Sequence, residues 1–387
     1  MIFGRHSVLK RGCSTWNPKE VPQAEFQARL AAVRDEMARQ NLDALVIYGD
    51  NYSFADLCYL TNYFPKVRGG IAVVPRVGAL SLLLNIGSRD VPFAKTLTWV
   101  EDVRASNNVG ADGAKLLKEK GLETAQIGLM DSGNGFPLPQ LEEMKSVLAN
   151  VSWSRCDALM VSHRLVKTAS ELGAMRAAGR LLKTVCSEAE RFIKPGRKEY
   201  EIVADIDRLA RDQGAEDIRI LAGETRLNPP SFKRSTALGS HWAVYLAVQH
   251  ERYWSEAGRT FMPGKDATLL QTAFGKAQKV VEQMASELKP GGAVAAIGES
   301  PRRELGELYS GAAIYGLANG IGLNQWEAPF LNESDAQEVG APAVGPTILA
   351  EHMTLALRAA FQTEGKMFIF GDSFEVTANG AKSLLIG

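Results

Sequence analysis

Four short stretches of this chain concentrate the residue types that bind and transform small molecules. GLANGIGLNQWEAP, from Gly316 to Pro329, sets Asn319, Trp326 and Glu327 among glycines. YWSEAGRTFMPG, from Tyr253, carries Trp254, Glu256 and Arg259. ILAEHMTLALRAAF carries His352 and Arg358, and GETRLNPPSF, from Gly223, carries Arg226 and Asn228. Two carboxylates can divide general-acid and general-base duty when burial raises the pKa of one and a neighbouring arginine keeps the other ionised. A guanidinium pairs with a carboxylate through a two-pronged fork, and aromatic rings add apolar contact. An asparagine amide donates to or accepts from a substrate oxygen. No GxSxG, GxGxxG or P-loop signature occurs, so neither a nucleophilic serine nor a phosphate cradle is indicated.

The elements that must carry these residues follow from periodicity. AEFQARLAAVRDEMARQ places Phe26, Leu30, Val33 and Met37 at helical spacing and leads into DALVIYG, which has the pattern of a buried strand. GGIAVVP and ALSLLLN predict two further strands, and AKLLKEKGL followed by AQIGLMD predicts a helix feeding another, as in βαβ units. The chain crosses into a second domain near WSRCDALMVSHRLVKT, where a long helix begins at Ala169 or Ser170. We therefore expect an α/β domain over 20–160 and a catalytic domain over 165–387. No internal repeat is evident.

Composition limits the function classes. The 387 residues are 45% hydrophobic, enough for two cores. Lys+Arg and Asp+Glu number 44 each, so no net field favours nucleic acid or an anionic membrane. Cys13, Cys58, Cys156 and Cys186 lack CxxC or finger spacing, as expected of reduced thiols. MIFGRHSVLKRG has no long apolar core, and no apolar run approaches a membrane span, which predicts a cytoplasmic protein.

Five motifs in order resemble those of the pita-bread-fold family that includes creatinase, aminopeptidase P and Xaa-Pro dipeptidases. HRLVKTASELGAMRAAGRLL resembles the family's K-S-x-x-E-(I/L)-x-x-M-R-x-A helix, and IKPGRKEYEIVADIDRLARDQGA resembles the segment that follows it. YWSEAGRTFMPG resembles Y-x-S-D-x-T-R-T-F-x-x-G, keeping Arg259, Thr260 and Phe261. ILAEHMTLALRAAF and FIFGDSFEVTANGAKSL occupy the last two motif positions. The resemblance implies an α+β arrangement: an amino-terminal creatinase-type α/β domain, then a pita-bread catalytic domain.

It also implies a two-metal site, and the ligand types for one have changed. The first family aspartate falls on Tyr245, the second, eleven residues on, on Glu256, the histidine on Asn319, and the two glutamates on Arg358 and Gly371. The substrate-contacting histidine falls on Trp326, with Glu327 kept after it. A tyrosine, one carboxylate, an asparagine, an arginine and a glycine cannot offset two divalent cations, so no metal and no other cofactor is expected. Creatinase works without metal in this fold, but its general-base histidine falls on Asn228 and its two carboxylates on Gly258 and Arg358. Its substrate-gripping arginine falls on Arg68.

The inferred pocket thus joins Tyr245, Trp254 and Trp326 with Arg358. One account is a site for an organic acid with a planar part, with Glu327 and Glu256 catalytic and Arg358, Arg68, Asn228, Tyr245, Trp254, Trp326, Asn319 and His250 binding substrate. The other is a cavity filled by packing residues, with Arg358 neutralised by Glu256 or Glu327. His250 sits near an expected hairpin turn and is either a pocket group or an exposed turn histidine; His241 is expected to be structural. The expectation is a metal-independent homodimeric enzyme acting on a small carboxylate-bearing molecule, by C–N bond hydrolysis or elimination. A non-catalytic ligand- or protein-binding descendant, and an active metallopeptidase with relocated ligands, are the alternatives.

Overall fold

The computed structural model describes residues 15–65, 68–130, 135–235, 241–262, 268–331, 333–338 and 347–385. MIFGRHSVLKRG and Cys13, on which expectations were placed above, lie outside them. The chain divides into two compact units, Met1–Arg164 and Leu165–Gly387.

The first unit is built on a six-stranded sheet of β1 (Ala44–Gly49), β2 (Gly70–Pro75), β3 (Ser81–Leu84), β4 (Asp102–Ala105), β5 (Gln126–Met130) and β6 (Ser152–Arg155), in the order β4-β3-β2-β1-β5-β6. β1 runs parallel to β5 and antiparallel to β2. Every residue of β1 and β2 is buried, which is why both are continuous apolar runs rather than alternating ones. The helix Gln23–Arg39 buries Phe26, Leu30, Val33 and Met37, the stripe its spacing predicts. Arg29 is buried on the same helix, paired with Glu25 and lying 4.5 Å over the Tyr59 ring.

The second unit is built on one larger sheet. Its strands are β7 (Asp217–Gly223), β8 (Trp242–His250), β9 (Tyr253–Phe261), β10 (Ala318–Gly320), β11 (Glu327–Phe330), β12 (Thr354–Thr363), β13 (Lys366–Thr377) and β14 (Gly380–Ser383). Their order is β11-β10-β12-β13-β9-β8-β7, with β14 paired to β13. The two faces differ because strand side chains alternate. On one face Trp242, Val244, Leu246 and Val248 of β8 pack with the helices Ala169–Ala189 and Glu199–Asp212. On that same face Leu355, Leu357, Ala359 and Phe361 of β12 pack with the helix Thr268–Glu287. The intervening residues point the other way, and they include the polar groups singled out above.

The helix Ala169–Ala189 is locked at its start by a capping box between Thr168 and Glu171. Glu171 also accepts the Tyr253 hydroxyl at 2.9 Å, tying the helix to β9. The K-T-A-S-E run is thus an N-terminus signal with a mechanism. Among the described residues no helix is long and apolar enough to cross a membrane.

Candidate active site

The centre of the site is a row of four residues crossing four strands. Arg358 of β12 faces Gly371 of β13, Gly371 faces Gly258 of β9, and Gly258 faces Tyr245 of β8. The two glycines leave a gap between the arginine and the tyrosine. A Cβ on Gly371 would meet the Arg358 Cβ at 2.8 Å, and one on Gly258 would meet Ile369 at 2.5 Å. Glu256, two residues before Gly258 and on the same face, fills the gap with its carboxylate. Its Oε2 accepts the Tyr245 hydroxyl at 2.7 Å, and its Oε1 accepts from Arg358 Nη1.

Arg358 is held on every side. Its Nε donates to the Tyr315 carbonyl at 3.0 Å, its Nη2 donates to Asn319 Oδ1, and its guanidinium lies 4.5 Å from the Trp326 ring centroid. Asn319 is oriented by its own amide, whose Nδ2 donates to the Gly320 and Gln325 carbonyls at 2.7 and 2.8 Å and so turns Oδ1 toward the arginine. Gly316 makes room for Trp326: its φ is +66°, and a Cβ there would lie 2.2 Å from the indole. Arg358 and Glu256 are 4% and 2% exposed, so this is a buried ion pair. Of the two partners open to Arg358 in the sequence, the structure selects Glu256.

Glu327 is committed elsewhere. Its Oε1 accepts from Lys167 Nζ at 3.1 Å in a second buried pair, and its Oε2 accepts the Asn324 backbone N–H at 3.2 Å. Gly322 lies against that carboxylate, and its carbonyl accepts the Trp254 backbone N–H at 2.8 Å. Sequence reasoning missed Lys167, although it opens the K-T-A-S-E run. It also missed Gln325, which donates to the Tyr245 hydroxyl at 3.0 Å.

The remaining candidates are placed as follows. Trp254 is 1% exposed, on the face of Glu256, with the exposed Arg219 of β7 stacked 4.7 Å from its ring. Asn228 folds back on β7, exchanging backbone hydrogen bonds with Ala222, and its Nδ2 donates to the Arg226 carbonyl at 3.4 Å. The next residue back, Leu227, packs against the small apolar cluster of Ala243, Ala360, Met367 and Ile369, on which Tyr245 and Tyr315 also rest. His250 ends β8 opposite Tyr253, at a turn where Glu251 and Arg252 have φ of 43° and 74°. Five residues along the strand from Tyr245, its side chain projects from the opposite face, which separates it from this cluster. His241 contacts the Met367 carbonyl at 3.1 Å and stacks on Phe368, a packing role. Arg68 belongs to the first unit, where it is exposed and donates to Asn85 at 3.3 Å.

Tyr245 gives the site a pH signature. Withdrawal from water, then the adjacent Glu256 charge, push its pKa well above the ordinary 10.0, against an opposing pull from Arg358. A tyrosine that resists ionisation in the folded state contributes stability below pH 10.0 that is lost as pH rises beyond it. Tyr245→Phe is expected to flatten this alkaline decline in urea midpoints. It should also lower stability at neutral pH by about 1.5–3 kcal/mol through the lost bond to a charged acceptor.

The donor set does not suit a pair of divalent cations. Of the five positions in question one is a carboxylate, and it is already shared between Tyr245 and Arg358. A guanidinium has no lone pair to offer a metal, and its charge repels one. Among the described residues no group of three or more His, Cys, Asp or Glu could hold a metal ion.

Comparison with known proteins agrees with the architecture. The chain is 24% identical over 393 residues to an uncharacterized hydrolase/peptidase of Sinorhizobium fredii, covering 95% of this chain and 96% of that protein. It is 23% identical over 300 residues to a Xaa-Pro dipeptidase of Pyrococcus horikoshii, covering 73% and 80%. The prolidase structure from Pyrococcus horikoshii OT3 superposes with a TM-score of 0.76 at 19% identity over 92% of this chain and 98% of that one. The X-Pro aminopeptidase structure from Thermotoga maritima superposes with a TM-score of 0.77 at 17% identity over 92% and 96%. Residues 29–166 match the creatinase/prolidase N-terminal domain, and residues 173–378, more than half the chain, match metallopeptidase family M24. A sheet with helices on one face and a polar row on the other, preceded by that amino-terminal domain, therefore places the chain in the metallopeptidase M24 family, with its pita-bread fold.

Proposed function

We propose that this protein hydrolyses a C–N bond in small carboxylate-bearing molecules by acid–base chemistry, without a bound metal. The carrying observation is the buried Arg358 guanidinium, fixed by Glu256, Asn319 and the Tyr315 carbonyl at a position where the family pattern has a metal-ligating glutamate. Three of its five N–H groups are engaged, leaving one on each terminal nitrogen. A fixed positive charge in a water-poor site does electrostatically what hydrolysis of an amide or amidine needs, stabilising negative charge that develops on the attacked centre. Glu256 and Tyr245 hold that charge in place. Glu327, beside Lys167, is the group that moves a proton between the attacking water and the leaving nitrogen. The same groups would serve an elimination, with Glu327 taking a proton from carbon.

A second reading has its own support: both carboxylates are already hydrogen-bonded to cations, as in a binding site without chemistry. One experiment separates the two. Chelator-treated protein is incubated with dipeptides, N-acyl amino acids and guanidino and ureido acids, and amine release is followed by mass spectrometry. Turnover of a carboxylate-bearing compound, unchanged by chelator, is the expected result. Saturable binding without turnover would favour the second reading, and turnover only after metal addition would contradict metal independence.

A further inference from the structure

We propose that the amino-terminal unit carries a binding site for small apolar amines, in a groove built wholly from its own residues and independent of the chemistry assigned to Arg358 and Glu327. The groove has a volume of about 590 Å³, within the roughly 300–1,000 Å³ of small-molecule pockets. One wall is the helix Gln23–Arg39, which supplies Gln23, Gln27, Ala31 and Asp35, each four residues after the last. At that spacing they form one stripe about 18 Å long. The other wall is residues 99–102, and residues 78–80, from the connection between β2 and β3, line the third side. The space is open because Ala31, Gly78 and Ala79 present little or no side chain to it. Leu30, Leu80 and Val100, all buried, give it an apolar floor.

Trp99 makes the second wall rigid. Its indole N–H donates to the Leu60 carbonyl at 2.8 Å, and its ring is stacked on Phe26 with centroids 6.1 Å apart. A fixed aromatic wall over an apolar floor suits the aryl or alkyl body of a ligand. Charge selects the ligand's polar end. Four ionisable side chains line the groove: Arg34, Asp35, Glu101 and Asp102. Asp102 pairs with Arg104 at 2.8 Å, and Arg34 donates its Nε to the Pro75 carbonyl at 3.0 Å and its Nη2 to the Gly78 carbonyl. Among the described residues neither the Asp35 nor the Glu101 carboxylate has a hydrogen-bond or ion-pair partner, which leaves one uncompensated carboxylate on each wall. Three carboxylates against one guanidinium give the groove a negative field, which an ammonium complements and an anionic ligand opposes.

The test is titration calorimetry on the full chain with three probes that share one skeleton: 4-phenylbutylamine, 4-phenylbutan-1-ol and 4-phenylbutyrate. The wild type should bind the amine about 4- to 25-fold more tightly than the alcohol, each exposed carboxylate supplying about 2- to 5-fold, and should bind the acid most weakly of the three. Asp35→Asn and Glu101→Gln should each take about 2- to 5-fold from the amine's affinity and leave the alcohol's unchanged, which damage to the fold would not do. Ala31→Phe, which fills the groove from an exposed position on the helix, should abolish binding of both amine and alcohol at a wild-type melting temperature. Amine binding that survives Ala31→Phe, or that is indifferent to both carboxylates, would place the ligand elsewhere and overturn the proposal. A wild type that does not bind the amine, or prefers the acid, would overturn it as well.

Discussion

Arg358→Ala is expected to lower the stability of the carboxy-terminal unit by about 3–5 kcal/mol, because it strands the Glu256 carboxylate in a site where that residue is 2% exposed. The Tyr245 hydroxyl would remain as one donor to it. The loss should appear as a lower urea midpoint at an unchanged slope. The double variant Arg358→Met with Glu256→Met should recover much of that loss, since a buried pair replaced by apolar groups of similar size is often neutral. A single variant as stable as wild type would mean that water reaches the pair and that the site is not closed.

Glu327→Gln is expected to reduce turnover about 10²–10⁴-fold, the usual effect of losing a general acid or base. Substrate affinity should stay close to wild type, because Gln keeps the shape and leaves Lys167 a carbonyl to bond. Single-turnover rates measured alongside equilibrium binding separate the two quantities. Turnover equal to wild type would remove Glu327 from the chemistry. A loss of both stability and binding would mark the Lys167 pair as a structural bridge.

Much of the second unit was legible because its motifs fall at fixed points on neighbouring strands. Tyr245, Glu256, Asn319, Arg358 and Gly371, aligned by motif alone, meet in one connected cluster of hydrogen bonds and facing backbone. The choice between Glu256 and Glu327 as the partner of Arg358 was not legible. It depends on the register of β12 against β13 and of β13 against β9, which joins residues 102 apart in the chain. Lys167 and Glu327 are 160 apart, and nothing local to either announces the other. His250 shows the limit of position along a strand: an odd spacing from Tyr245 sends its side chain to the other face.

In the first unit the helix Gln23–Arg39 and the strands β1, β2, β3 and β5 lie where the apolar pattern puts them, since buried runs and a helical stripe are strong local signals. The buried Arg29 interrupts that stripe without disturbing it, because Glu25 accepts from its Nε, the Tyr59 carbonyl accepts from its Nη1, and the Tyr59 ring lies against the guanidinium.

The central claim is that a buried arginine and its carboxylate stand in for the metal pair of the family, and metal content tests it most directly. Protein purified without added metal is analysed by mass spectrometry for Mn, Co, Zn and Fe, and its melting temperature is compared before and after chelator. The account predicts far less than one equivalent of any of these metals and an unchanged melting temperature. Stoichiometric metal in the carboxy-terminal unit, with a lower melting temperature on its removal, would contradict it.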